Sequence, residues 1–191
     1  MSSSNHSNKN KHPIKTLDDL SKEELKELVR INARNFLALD GVWFQSVEQK
    51  EGMDEAMHHD RSAWRRYTET EARRLKNFLN LPDSPGLDGL EQALMFRFSA
   101  FANPKVECIR DHHSLIYRVI DCQVQSARKK KGMPYHPCQS VGIIEHYYFA
   151  KIIDERIECE TVSCYPDVTD DTCACSWRFT IKDESSGQNY T

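Results

Sequence analysis

The 191-residue chain has no stretch approaching the roughly 18 apolar residues that a membrane-spanning helix needs, so no span is expected. Its first 16 residues are rich in Ser, Asn and Lys and contain no apolar run, which argues against a secretory signal there. The charge is nearly balanced: a net −3 gives no general attraction to nucleic acid or to an anionic membrane. Closely paired C-x2-C spacing of the zinc-ribbon type is missing too. A cytoplasmic location follows as the expectation. In that reducing compartment thiols more often bind metal or do chemistry than form disulfides.

What the chain does have is cysteine. Seven is an odd number, which leaves one over in any all-disulfide scheme. Six of them, Cys122, Cys138, Cys159, Cys164, Cys173 and Cys175, fall between Asp121 and Ile181. The remaining composition, 39% hydrophobic and 29% charged, is that of an ordinary protein with one core. The expected organisation is a disordered tail over 1–16, a single domain over 17–182 and a polar tail over 183–191.

Helical signals fill the first half. Ser21-Lys22-Glu23-Glu24 is a capping box, so a helix is expected from there to about Gln49. Its stripe is Leu25, Leu28, Val29, Phe36, Leu39, Trp43 and Val47, and Asp40 falls on the same face. Asp40 either bonds a neighbouring backbone group or indole, or lines a pocket. After the break at Glu51-Gly52-Met53-Asp54, with Asp54 as cap, a second helix is expected over about 55–80. Asp60, Thr68 and Glu71 share its inner face. Asp60 and Glu71 are three turns apart, about 16 Å, too far to share a proton, so each needs its own partner, expected from the first helix. A third helix is expected over about 88–101.

The periodicity then changes. Residues 105–110 and 114–122 read as a β-hairpin, 124–131 as a short helix and 139–153 as a longer one with Val141, Ile144, Tyr148 and Ile152 inward. Residues 156–163 and 172–181 read as a second hairpin, with Cys173, Cys175, Trp177, Phe179 and Ile181 on one face. The fold class is therefore α+β: N-terminal helices packed on a four-stranded antiparallel sheet, with two further helices between the hairpins. The run Arg128-Lys129-Lys130-Lys131 has no aromatic interleaved to stack bases, so it reads as a solvated helix end and no nucleic-acid partner is expected.

Cys122, Cys138, Cys164 and Cys175 are spaced C-x15-C-x25-C-x10-C. Each falls at an expected strand end, strand start or helix start, and such ends can meet on one rim of a sheet. Four thiolates suit tetrahedral Zn²⁺ or an iron centre. Cys173 is the alternate to Cys175, since both face the same way. Alternatively the thiols are small buried hydrophobes. Cys138, at a helix N-terminus, suits either a ligand or a nucleophile, because the unpaired amides there favour its thiolate.

Several stretches resemble an uncharacterised family of anaerobic prokaryotes related to the L-2-amino-thiazoline-4-carboxylate hydrolase-like proteins. They include Trp43-Phe44-Gln45-Ser46-Val47-Glu48, Glu71-Ala72-Arg73, Asp121-Cys122-Gln123-Val124-Gln125-Ser126-Ala127-Arg128, Pro137-Cys138-Gln139-Ser140-Val141-Gly142 and Cys164-Tyr165-Pro166-Asp167. The chain departs from the family's usual text at Glu155 and Tyr165, where proline is common. The second half, through Cys175-Ser176-Trp177, is more distantly similar to 4-vinyl-reductase-type sensor domains, which share a fold with TRAPP trafficking subunits. That second resemblance implies a zinc held by three cysteines and a glutamate beside a ligand pocket. Cys138, Cys164 and Cys175 would match the cysteines, and Cys122 or Glu145 the fourth position.

Two functions follow as expectations. One is a domain that binds a small molecule, stabilised by the cysteine-metal site, with Asp40, Trp43, Glu71 and Trp177 lining the pocket. The other is a metal- or cysteine-dependent hydrolase of a small cyclic amidine or amide, with Glu145 or Glu71 as base. Exposed aromatics on the first helices could serve a homodimer.

Overall fold

The structure is a computed structural model that describes residues 16–181. Both tail readings lie outside the described residues, Thr16 excepted. A short 3-10 turn, Leu17–Asp19, leads into α1 (Lys22–Glu51). Ser21 Oγ accepts from the Glu24 amide at 3.2 Å and Glu24 Oε2 accepts from the Ser21 amide at 2.8 Å, so two otherwise orphaned donors are satisfied at the helix start. Gly52, at φ 92°, separates α1 from α2 (Met53–Phe78). A left-handed φ suits glycine, so Gly52 rather than Asp54 makes the junction. Trp43 meets His59 with ring centroids 5.9 Å apart, and Phe36 meets Tyr67 at 5.0 Å. In each pair the two residues are nearly equidistant from Gly52, so α1 folds back along α2 as a hairpin.

The inner line of α1 is not the expected one. Ala33 and Phe44 are buried and Leu37 and Asp40 half-buried, whereas Leu39 is 69% exposed and Trp43 48%. Helix α1 packs chiefly against α2 and the short helix α4 (Phe98–Ala102), so part of its apolar surface stays uncovered.

The expected third helix is two: α3 (Gly86–Met95) and α4. Arg97 interrupts them with an extended ψ of 151° and is completely buried. The break turns its guanidinium onto carboxylates of α2 and of the later helix α6 (Gln139–Ile153).

Strands β1 (Lys105–Arg110), β2 (Ser114–Asp121), β3 (Ile157–Cys164) and β4 (Cys175–Ile181) form one sheet in the order β1-β2-β4-β3, every neighbour antiparallel. Helices α5 (Gln123–Lys130) and α6 connect the two hairpins. The α+β class expected from sequence is the class observed.

Helix α6 lies between α2 and the β3–β4 side of the sheet. Its buried residues are Val141, Gly142, His146, Phe149, Ala150 and Ile153, a face turned from the expected Ile144, Tyr148 and Ile152. A helix covered on two sides is apolar around most of its girth, and periodicity then says little about which side is deepest. At Gly142 the helix touches β4: a Cβ there would come within 2.5 Å of Trp177 Cζ2. The main core joins Leu90 and Leu94 of α3, Leu115 and Tyr117 of β2, Phe149 and Ile153 of α6, Ile157 of β3 and Phe179 of β4. No helix among the described residues is long and apolar enough to cross a membrane.

Candidate functional site

A cavity of about 320 Å³ opens where α1 and α2 meet α5, the N-terminal half of α6 and the adjoining ends of β2, β3 and β4. Its walls are mostly carbon, with Phe44, Trp64 and Trp177 among them. Cys122, Cys138, Cys164 and Cys175 all line it.

The local chain geometry explains this meeting. Cys122 follows β2 as the N-cap of α5, and Cys138 is the N-cap of α6. Cys164 closes β3 directly opposite Cys175, which opens β4. The Gln139 amide donates to the Tyr165 carbonyl at 3.1 Å, pinning the start of α6 to the end of β3. The Cys138 and Cys164 Sγ atoms are 3.5 Å apart. Gln125 of α5 braces the segment ahead of Cys138. Its Nε2 donates to the His136 carbonyl at 2.8 Å and its Oε1 accepts from the His136 amide at 3.0 Å. Cys173 lies elsewhere: its thiol donates to Asp170 Oδ2 at 3.5 Å and does not line the cavity, so Cys175 is the inward thiol of the two. Among the described residues no group of three or more His, Cys, Asp or Glu stands in metal-holding geometry.

The thiols differ in acidity. The contact between the Cys138 and Cys164 thiols, with His136 and Gln125 nearby, outweighs burial and lowers the pKa of Cys138. The same contact and the neighbouring Cys175 raise Cys164. Burial pushes Cys122 up to about 12. The helix start that carries Cys138 favours a thiolate for the same reason it favours any anion.

His136 Nε2 lies 3.3 Å from Asp60 Oδ2, and its ring meets Phe44 edge-on at 4.6 Å. Burial opposes its charge, but Asp60 and Cys138 together hold its pKa up at about 9. His146 behaves oppositely. Burial, reinforced by Arg97, pushes it down to about 3, so it is neutral. Its Nδ1 stands 2.8 Å from the Gly142 carbonyl, which can only accept, so the proton sits on Nδ1. Its ring stacks on Trp177 at 4.6 Å. The Trp177 indole N–H is buried without a partner among the described residues, and Trp177 lines the cavity.

The carboxylates divide into two groups. Glu71 is not part of the cavity lining. Its Oε2 accepts from Arg97 Nε and Nη2 at 2.9 and 2.8 Å, and its Oε1 accepts from the Phe98 amide at 3.1 Å. That makes it a clamp for Arg97 and a cap for α4 instead of the pocket residue or base expected. Glu145 lines the cavity but also reaches Arg97 Nη2 at 2.7 Å. Burial raises its pKa against the pull of Arg97. Thus the partners of Asp60 and Glu71 come from the loop before α6 and the break before α4, not from α1. Asp40 lines the cavity with no hydrogen-bond or ion-pair partner among the described residues. Burial, with Asp60 and Glu145 nearby, pushes it up to about 7, partly offset by His136.

Trp43, expected in the pocket, is half-exposed beside His59 of α2 and does not line the cavity. Arg128, read as one of four solvated cations, is 2% exposed; its Nη1 and Nη2 donate to the two oxygens of Glu48 at 2.8 and 2.7 Å. Only the lysines after it are on the surface.

No curated protein and no solved structure matches the chain. A family profile covers residues 16–181, the whole of the described domain, and the chain belongs to that family, a family of unknown function (DUF6125).

Proposed function

We propose that the protein is a small-molecule-binding domain whose cavity is closed at one end by a cysteine site for a thiophilic metal ion, zinc or iron. The observation that carries this reading is the meeting of Cys122, Cys138, Cys164 and Cys175 on one cavity from four separate places in the chain. Thiolates at about 2.3 Å from a tetrahedral zinc stand about 3.8 Å from each other. The 3.5 Å between Cys138 and Cys164 is close to that edge. These two would hold the ion, with Cys175 and Cys122 as the neighbouring soft donors. The ion would fix the sheet rim to the start of α6, and the protein's own residues would do the binding: Asp40 presents a polar group, and Phe44, Trp64 and Trp177 present apolar walls. The resemblance to 4-vinyl-reductase-type sensor domains supports the same reading. The test is elemental analysis of protein purified without oxygen. One metal ion per chain is expected in the parent, with loss of the ion in Cys138→Ser and in Cys164→Ser. Metal-free parent protein with all seven thiols titratable would overturn the reading.

A second reading has its own observation. Asp60, His136 and Cys138 form a connected series at the cavity wall, with the thiol at a helix N-terminus. This arrangement suits a cysteine hydrolase of a small amide or cyclic amidine, as the resemblance to thiazoline-carboxylate hydrolases implies. Cys138 would attack the amide or amidine carbon, and His136 would give a proton to the departing nitrogen. Water, losing its proton to His136, would then release the acyl group and restore the thiol. Glu145 and Glu71, both bound to Arg97, are poorly placed to act as the base. Mass spectrometry separates the readings: a covalent Cys138 adduct with a slow amide substrate supports the hydrolase.

A further inference from the structure

The carboxylates on the cavity wall are unequally partnered, and this points to the kind of molecule it takes. Arg34, Arg128 and Lys131 reach its wall: Arg34 is paired with Glu27 at 2.7 Å and Arg128 with Glu48, while Lys131, exposed at the rim, donates from Nζ to the neutral Gln45 Oε1 at 2.9 Å. Asp60 is partnered by His136, and Glu145 shares Arg97 with Glu71. Among the described residues of the wall, Asp40 is the carboxylate without a hydrogen-bond or ion-pair partner, His136 acting on it only from beyond contact. A half-buried carboxylate in a carbon-lined cavity is costly unless a cation or a proton joins it. Phe44, Trp64 and Trp177 line the same space, and aromatic rings favour a cation over an anion.

We propose that the cavity selects compact organic cations, amines or amidines on an apolar body, and that Asp40 is the residue that recognises the charge. This inference rests on the reading of the cavity as a small-molecule site and specifies its ligand class. Asp40 is surrounded by Asp60 of α2, Glu145 of α6 and His136 of the preceding loop. Burial first, and then the two carboxylates, hold back its ionisation and strengthen the demand for an incoming positive charge. Its pKa near 7 means the unliganded site is partly protonated at neutral pH, and the cation must displace that proton. Affinity should therefore rise with pH, by close to tenfold per unit below 7, and level off above it.

The experiment compares four probes of similar size by calorimetry and ligand-observed NMR on the full chain: benzamidine, benzylamine, benzyl alcohol and benzoate. The two cations should bind at least tenfold more tightly than the other two. Asp40→Asn should erase that preference without lowering the melting temperature, since it removes an unpaired carboxylate. The pH series on the parent gives a second, mutation-free readout. Benzyl alcohol or benzoate binding as well as benzylamine overturns cation selectivity while leaving the cavity as a binding site. So does a cation preference that survives in Asp40→Asn, or an affinity flat between pH 5 and 8. Failure of all four probes to bind contradicts both this inference and the binding-site reading beneath it.

Discussion

Arg97 and Glu71 form a buried ion pair in which both Arg97 Nε and Nη2 donate to Glu71 Oε2. The guanidinium also reaches Glu145 and lies 4.4 Å over the Phe149 ring, so one arginine joins α2, the α3–α4 break and α6. These are elements that frame the cavity. Replacing Arg97 by Met leaves two buried carboxylates without their cation, and such losses cost about 3–5 kcal/mol. Urea denaturation of Arg97→Met should show a destabilisation of that size, and a change below about 1 kcal/mol would mean the pair is not framing the fold.

Asp154 supplies a pH-dependent contribution remote from the cavity. Its carboxylate accepts from the Gly86 amide at 2.9 Å, the Arg156 amide at 3.1 Å, and Arg156 Nε and Nη2 at 3.0 and 2.7 Å. The Arg156 side chain, with these amides and against the effect of burial, lowers its pKa from 3.8 to about 2. A lowered folded-state pKa favours the fold above the unfolded value and loses that contribution as pH falls through the folded one. The difference corresponds to about 2 kcal/mol. Asp154→Asn should therefore be less stable than the parent by about this amount at neutral pH. The gap should shrink between pH 4 and 2; a gap constant with pH would contradict the assignment.

Gly142 and Gly41 make a matched test of packing. Both sit inside helices, where alanine is intrinsically favoured by about 1 kcal/mol. A Cβ at Gly41 would meet nothing within 4 Å, but one at Gly142 would meet Trp177 Cζ2 at 2.5 Å and Cη2 at 2.6 Å. Gly41→Ala should raise the melting temperature. Gly142→Ala should lower stability by about 1–3 kcal/mol, the usual cost of overpacking, and alter Trp177 fluorescence.

The fold was most legible where one simple pattern had one cause. In the last strand Cys175, Trp177 and Phe179 alternate with Ser176, Arg178 and Thr180, and β4 forms over those residues, although Ser176 on the opposite face is buried as well. The helix start at Ser21 was legible for the same reason, since its capping box is purely local. The break at Arg97 was hidden because Leu90, Leu94, Phe98 and Phe101 keep helical spacing across it, and only the distant Glu71 and Glu145 call the arginine inward. Arg128 was masked by the three lysines that follow it, its partner Glu48 lying 80 residues away in α1. At the site, the turn positions of the cysteines were readable from local breaks. The pairing of His136 with Asp60, and the solitude of Asp40, depend on how α1, α2 and the loop before α6 come together, which no local pattern encodes.

Protein purified without oxygen and examined by X-ray absorption at the metal edge puts the central claim to its most direct test. The account predicts sulfur neighbours at about 2.3 Å, four in number if Cys122 and Cys175 join Cys138 and Cys164. A shell made only of oxygen and nitrogen, or a protein carrying no metal, would contradict it.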